Sequence, residues 1–173
     1  MSAADVSSLR ALVPRGLRLL GLDLGKKTIG LALCDAGWLV ATPLCTIERT
    51  RLARDLGALQ AVVAEREVGG LVLGLPVSMD GREGPRCQSV RQFAHDVERA
   101  LSLPLAFWDE RLSTTAVERF LIEEADLSRG KRRKVIDRAA AAWILQGALD
   151  AIRFATAGGR EPRPEPAARP NDP

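Results

Sequence analysis

Residues 17–44 read LRLLGLDLGKKTIGLALCDAGWLVATPL, and the spacing of the apolar runs inside this stretch decides the fold. Three runs stand out: 17–22 (LRLLGL), 29–34 (IGLALC) and 38–44 (WLVATPL). The first is followed at once by Asp23 and a Gly-Lys-Lys turn, and the second and third are separated by Asp35-Ala36-Gly37. Strands joined by turns this short pair as antiparallel neighbours, because a parallel crossover needs a dozen or more residues. A three-stranded meander is therefore expected to open the domain.

Downstream the period changes. Leu52, Leu56, Leu59 and Val63 recur at helical spacing within 51–66, and Gly69-Gly70 follows. A strand is predicted over 70–75 (GLVLGL), stopping at Pro76. After a glycine-rich loop at 76–86, Val90, Phe93, Ala94, Val97 and Leu101 mark one face of a second helix. A strand follows at 105–109 (LAFWD). Thr115 and Glu118 form a capping box for a helix reaching about Glu124. A basic loop and a last helix from about Val135 to Ala155 complete the pattern. Alternating helices and strands imply right-handed crossovers and parallel strands. The expectation is an α/β fold with a five-stranded mixed sheet, three antiparallel strands then two parallel ones, flanked by helices. Residues 1–15 read as an N-terminal extension and 16–155 as the domain. Residues 156–173, with five of the ten prolines and no apolar period, read as a disordered tail.

At 173 residues the chain makes one domain with a real core. No apolar run approaches the roughly 20 residues of a membrane span, and the N-terminus lacks the apolar centre of a secretory signal. A cytoplasmic protein is expected. Cys34, Cys45 and Cys87 show no metal-finger spacing and read as free thiols. His95 is the only histidine and lies beside the apolar set of the second helix, so histidine-based catalysis is not expected. The formal charge is only +3, yet residues 129–138 (RGKRRKVIDR) carry six bases and one acid, leaving the rest of the chain at −2. Such a block is either a polyanion contact or a solvated loop.

Three acids stand at element ends. Asp23 sits where the first strand ends, before Gly25; Asp109-Glu110 sits at the end of the last strand; Asp137 opens the final helix. Ligands of open α/β sheets collect at the carboxyl ends of the parallel strands, so Asp23 and Glu110 can meet there. Ala140 and Ala141 are small enough to bring the Asp137 end of its helix close to the sheet. Three adjoining carboxylates cannot all stay ionised uncompensated, and hard Mg2+ or Mn2+ compensates best. Two such ions support phosphodiester hydrolysis without histidine. Each acid taken singly also has a plainer reading. Asp23 could be a turn former, Asp137 a first-turn acid favoured by the helix dipole, and Glu110 a partner of Arg111.

The words around the acids narrow the choice. GLDLGKKTIGLALCD, LVLGLPVSMDGREGP, DERLSTTAVERFL and VIDRAAAAWILQGALD occur in order, across about residues 17–152. Together they resemble the YqgF-type family, bacterial proteins similar to Holliday-junction resolvases and associated with pre-16S ribosomal RNA cleavage. The resemblance implies a ribonuclease H-like fold, with Asp23, Glu110 and Asp137 as metal-binding catalytic acids for Mg2+ or Mn2+. It places Asp80 and Gly81 in a loop that touches substrate. Lys26, Lys27, Arg111 and the run Lys131, Arg132, Arg133 and Lys134 are the expected phosphate contacts. Two departures matter. The family's basic side chain in the first turn is replaced by Thr28, so Lys26 or Lys27 must supply that contact. The last helix also lacks a second acid one turn after Asp137, unlike true junction resolvases.

The leading expectation is a nuclease maturing the 5′ end of precursor 16S rRNA, alone or within pre-ribosomal particles, as a monomer or homodimer. A resolvase of branched DNA, working as a symmetric dimer, and a non-catalytic assembly factor that binds nucleic acid are the rivals. An actin-like ATPase needs a second domain for which the chain is too short.

Overall fold

In a computed structural model of the chain, the described residues are 5–78, 80–112 and 129–158, with only the backbone described for 112, 129–133 and 158. The strands are β1 (Arg18–Leu24), β2 (Thr28–Cys34), β3 (Ala41–Glu48), β4 (Val68–Leu75) and β5 (Leu105–Asp109). The helices are α1 (Leu9–Leu12), α2 (Leu52–Glu65), α3 (Pro85–Leu101) and α4 (Arg129–Gly158). Sheet order is β3-β2-β1-β4-β5. β2 is antiparallel to β1 and β3, and β4 is parallel to β1 and β5, giving the expected mixed sheet.

Alternation of side chains splits the strands between two cores. Leu20, Leu22, Ile29, Leu31, Leu71, Leu73 and Leu105 face α2 and α3, where Leu59, Val90, Phe93 and Val97 meet them. The other face presents Leu19, Ala32, Val72 and Ala106 to Ala141, Ile144, Leu145, Ala148 and Leu149 of α4. β4 is buried along its whole length because both faces are covered, which is why it reads as an unbroken apolar run. β3 is the edge strand, half-exposed and carrying Pro43, a residue tolerated where no neighbouring strand needs its N–H.

Where α4 crosses the sheet, glycines make room for it. A Cβ on Gly21 would lie 2.8 Å from the Ala141 carbonyl oxygen, and one on Gly74 would lie 2.5 Å from Ile144 Cδ1. On Gly30 it would lie 2.0 Å from the Asp137 carbonyl oxygen, closer than any real contact allows.

Several boundaries differ from expectation. β3 begins at Ala41, not Trp38. The Asp35 carboxylate accepts the N–H groups of Gly37, Leu39 and Val40, and Trp38 adopts a left-handed φ of 59°, so residues 35–40 form a wide turn. The expected basic loop is helical: α4 starts at Arg129, because lysine and arginine are good helix formers once the apolar stripe behind them is anchored. It also continues to Gly158, beyond Ala155. At the N-terminus, a turn of 3-10 helix (Val6–Ser8) and α1 bury Val6, Leu9 and Val13 against the α4 face, so packing extends back before residue 16. The capping-box helix over Thr115–Glu124 and the tail from residue 159 lie outside the described residues.

Cys34 and Cys87 are buried and Cys45 half-buried, all as free thiols. Among the described residues no helix is long and apolar enough to cross a membrane.

Candidate active site

Since β1, β4 and β5 run parallel, their carboxyl ends lie along one edge of the sheet. Asp23 is the penultimate residue of β1, and Glu110 follows β5 directly, opening a 3-10 turn (Glu110–Leu112). Asp23 pairs across the ladder with Gly30, the residue over which the Asp137 backbone packs. Glu110 also leans over the sheet, its Oε1 lying 2.8 Å from where a Gly74 Cβ would be. The topology thus brings the three acids to a common edge from β1, β5 and α4.

Asp137 is not in the first turn of its helix as expected. It lies eight residues in, past the reach of the helix dipole, so its carboxylate is not explained as a capping charge. Its Oδ2 instead accepts a hydrogen bond from the Thr28 hydroxyl, buried at the start of β2.

Electrostatics tie the acids together. Burial first, then the charges of Glu110 and Asp137, push the Asp23 carboxyl up to about 7, while Arg86 works against them. Glu110 is raised by burial, eased by Arg86 and raised again by Asp109. Among the described residues, however, no three His, Cys, Asp or Glu side chains are gathered closely enough to hold an ion as they stand. The expected metal set is therefore neighbouring but not assembled. Uncompensated carboxylates repel one another.

The expected contact residues fall into two groups. Lys26 and Lys27 are exposed on the turn from β1 to β2, beside Asp23. That turn is stapled by Arg49, whose Nη1 donates to the Gly25 carbonyl at 2.7 Å and whose backbone N–H donates to the Lys27 carbonyl at 2.8 Å. Asp80 and Gly81 lie in the loop after β4, where Gly81 takes φ +81° and its Cα faces Arg111 Nη1. Arg111 is already engaged: its guanidinium grips Asp109, with Nη2 to Oδ2 at 2.5 Å. Lys134 likewise pairs with Glu48 of β3 at 2.7 Å. The side chains of Lys131, Arg132 and Arg133 lie outside the described residues.

Arg86, Thr28 and Arg49 are not legible as site residues in the sequence. Arg86 follows Pro85 in the first turn of α3, and only the packing of α3 brings it toward two acids. A groove lined by Arg10, Trp38, Leu39 and Ile152 opens at the opposite end of β2, away from the acids.

The sheet order, the crossing helix and the acidic edge define a ribonuclease H-like α/β protein. A solved structure titled "T. thermophilus RuvC in complex with Holliday junction substrate" superposes with a TM-score of 0.51 at 17% identity, over 81% of this chain and 97% of that one, a likeness of fold. Residues 17–151 match the family model described as "RuvX: Holliday junction resolvase", and the chain belongs to that family. A protein of Paramagnetospirillum magneticum is 60% identical over 144 residues, 83% of this chain and 92% of its own length. One from Sphingopyxis alaskensis is 58% identical over 142 residues, 82% and 92%. Both bear the name "Putative pre-16S rRNA nuclease". The resemblance drawn from the four sequence words is borne out.

Proposed function

We propose that the protein is a metal-dependent nuclease that hydrolyses phosphodiester bonds in precursor 16S rRNA, using Asp23, Glu110 and Asp137 as its acids. The observation that carries the reading is the convergence of Asp23 at the end of β1, Glu110 at the end of β5 and Asp137, whose backbone packs on Gly30 opposite Asp23, on one partly buried edge of the sheet. Such an arrangement costs stability unless something positive shares the site. The donor set is all carboxylate oxygen, which suits Mg2+ or Mn2+. One or two such ions, when bound, supply the positive charge that activates a water and neutralises the leaving oxygen.

The chain's own residues do the rest. Asp23, fixed in the β1 ladder, and Glu110, fixed by the end of β5, set the edge on which the scissile phosphate rests. Lys26 and Lys27 hold neighbouring phosphates from the stapled turn, and the Asp80–Gly81 loop bounds the strand path on the other side. Arg86 offsets the local negative charge so that a phosphate can approach. The basic start of α4 extends the track, and Lys134 there is paired with Glu48. The protein acts in the cytoplasm, on free precursor rRNA or within pre-ribosomal particles.

Cleavage of branched DNA is the second reading, favoured by the description of the family. Against it, the positions one turn after Asp137 are Ala140 and Ala141, so the second acid that the resemblance associates with true junction resolvases is missing. Purified protein with Mg2+ or Mn2+, given precursor 16S fragments and four-way junctions side by side, separates the two. Cleavage of the RNA with intact junctions supports the first, the converse supports the second, and cleavage of neither leaves a binding factor.

A further inference from the structure

We propose that Thr28 is a positioning residue for Asp137, orienting that carboxylate so that its free oxygen serves the cation site; the inference rests on the nuclease reading above.

Among the described residues only two polar or charged side chains are buried, Thr28 and Asp55. Asp55 is accounted for locally, since it accepts the backbone N–H of Thr50 at 3.0 Å and the Thr50 hydroxyl at 3.2 Å, just before α2. Thr28 reaches across 109 positions of sequence to Asp137 Oδ2. A buried hydroxyl without a partner is costly, so this bond is held firmly.

The donor is also rigidly mounted. The Gly25 N–H donates to the Thr28 carbonyl at 2.9 Å, Arg49 clamps the same turn, and a β-branched side chain has restricted χ1 freedom. From the other side, α4 is moored near Asp137. The Thr46 hydroxyl donates to the Lys134 carbonyl at 3.1 Å, Lys134 pairs with Glu48, and the Asp137 carbonyl packs on Gly30. With the backbone of Asp137 held and Oδ2 engaged, rotation of the carboxylate is restricted and Oδ1 is the oxygen left to a cation. Residues that orient a ligand in this way typically change metal affinity 10–100-fold when removed.

The test is a Mn2+ titration of the full chain, followed by electron paramagnetic resonance of the free ion and by thermal shift, for wild type, Thr28→Val, Thr28→Ser and Asp137→Asn. Thr28→Val keeps the volume and removes the donor; Thr28→Cys replaces it, with a weak donor, should the valine variant not fold. The expected result is a 10–100-fold weaker Mn2+ affinity for Thr28→Val, and wild-type affinity within about 3-fold for Thr28→Ser. With precursor rRNA, the turnover of Thr28→Val should fall at low Mn2+ and recover at high Mn2+, with KM for RNA unchanged. Wild-type Mn2+ affinity in a folded Thr28→Val protein overturns the role of Thr28 alone, as does a Thr28→Ser defect equal to that of valine. A wild-type protein that binds no Mn2+ overturns the nuclease reading and this inference with it.

Discussion

The carbonyl oxygen of Asp137 rests directly over Gly30, with no room between them for a methyl group. Gly30 pairs across the ladder with Asp23, so one glycine sets the spacing of two of the three acids. Gly30→Ala must lift α4 from the sheet. Overpacking of this kind costs about 1–3 kcal/mol, enough to lower the melting temperature by several degrees, and metal binding should weaken with it. Thermal melts with and without Mn2+ check both.

Gly57 offers the opposite case. It lies exposed within α2, and a Cβ there meets nothing within 4 Å. Gly57→Ala should therefore stabilise the protein, by about 0.5–1 kcal/mol from helix propensity and reduced unfolded-state freedom, and leave activity unchanged. Urea denaturation measures it, and a drop in stability would show that Gly57 does not face open solvent.

Asp23 gives stability a pH dependence. Its folded pKa of about 7 lies above the ordinary 3.8, so the folded state binds the proton more tightly. The contribution is fully present below about pH 4 and is lost as pH rises through about 7. A shift of this size corresponds to roughly 4 kcal/mol at most. Glu110 is raised and acts in the same direction, whereas Asp35 and Asp109 are lowered, by hydrogen bonds from backbone N–H groups and from Arg111, and act in the opposite one. Metal-free wild type should thus melt lower at pH 8 than at pH 5. Asp23→Asn should flatten that dependence and melt higher than wild type at pH 8. Equal pH profiles for the two proteins would show that Asp23 does not carry the strain.

Salt dependence probes the turn. Replacing Lys26 and Lys27 with alanine should weaken RNA binding across sequences and reduce the log–log salt slope by roughly 0.7–0.9 for each phosphate no longer neutralised. Lys134→Ala should change the slope less, because Glu48 already engages that lysine. Titrations with Asp23→Asn protein at several salt concentrations keep the substrate intact.

How far the sequence can be read depends on whether the signal is local. β5 occupies the expected 105–109, and Val90, Phe93, Ala94 and Val97 are buried as the helical period requires, because an apolar face is written in adjacent residues. The short turns likewise dictate the antiparallel pairing of β2 with β1 and with β3. The basic run misleads, since its charge suggests a loop while its residues favour a helix, and Asp137 consequently sits in the third turn of α4 and not the first. Gly21, Gly30 and Gly74 carry no side chain to betray what crosses them; their purpose appears only once α4 is in place. Thr28 and Arg86 stay hidden for the same reason, since the acids they serve are distant in sequence.

Single-turnover cleavage of a precursor 16S fragment by wild type and Asp23→Asn, with Mn2+ and with chelator, addresses the central claim. Wild type should cleave only with metal. Asp23→Asn, folded by circular dichroism and still binding RNA, should cleave at least about 100-fold more slowly, as expected when a transition-state interaction worth several kcal/mol is removed. Cleavage by Asp23→Asn near the wild-type rate, or wild-type cleavage that persists in chelator, would contradict the assignment.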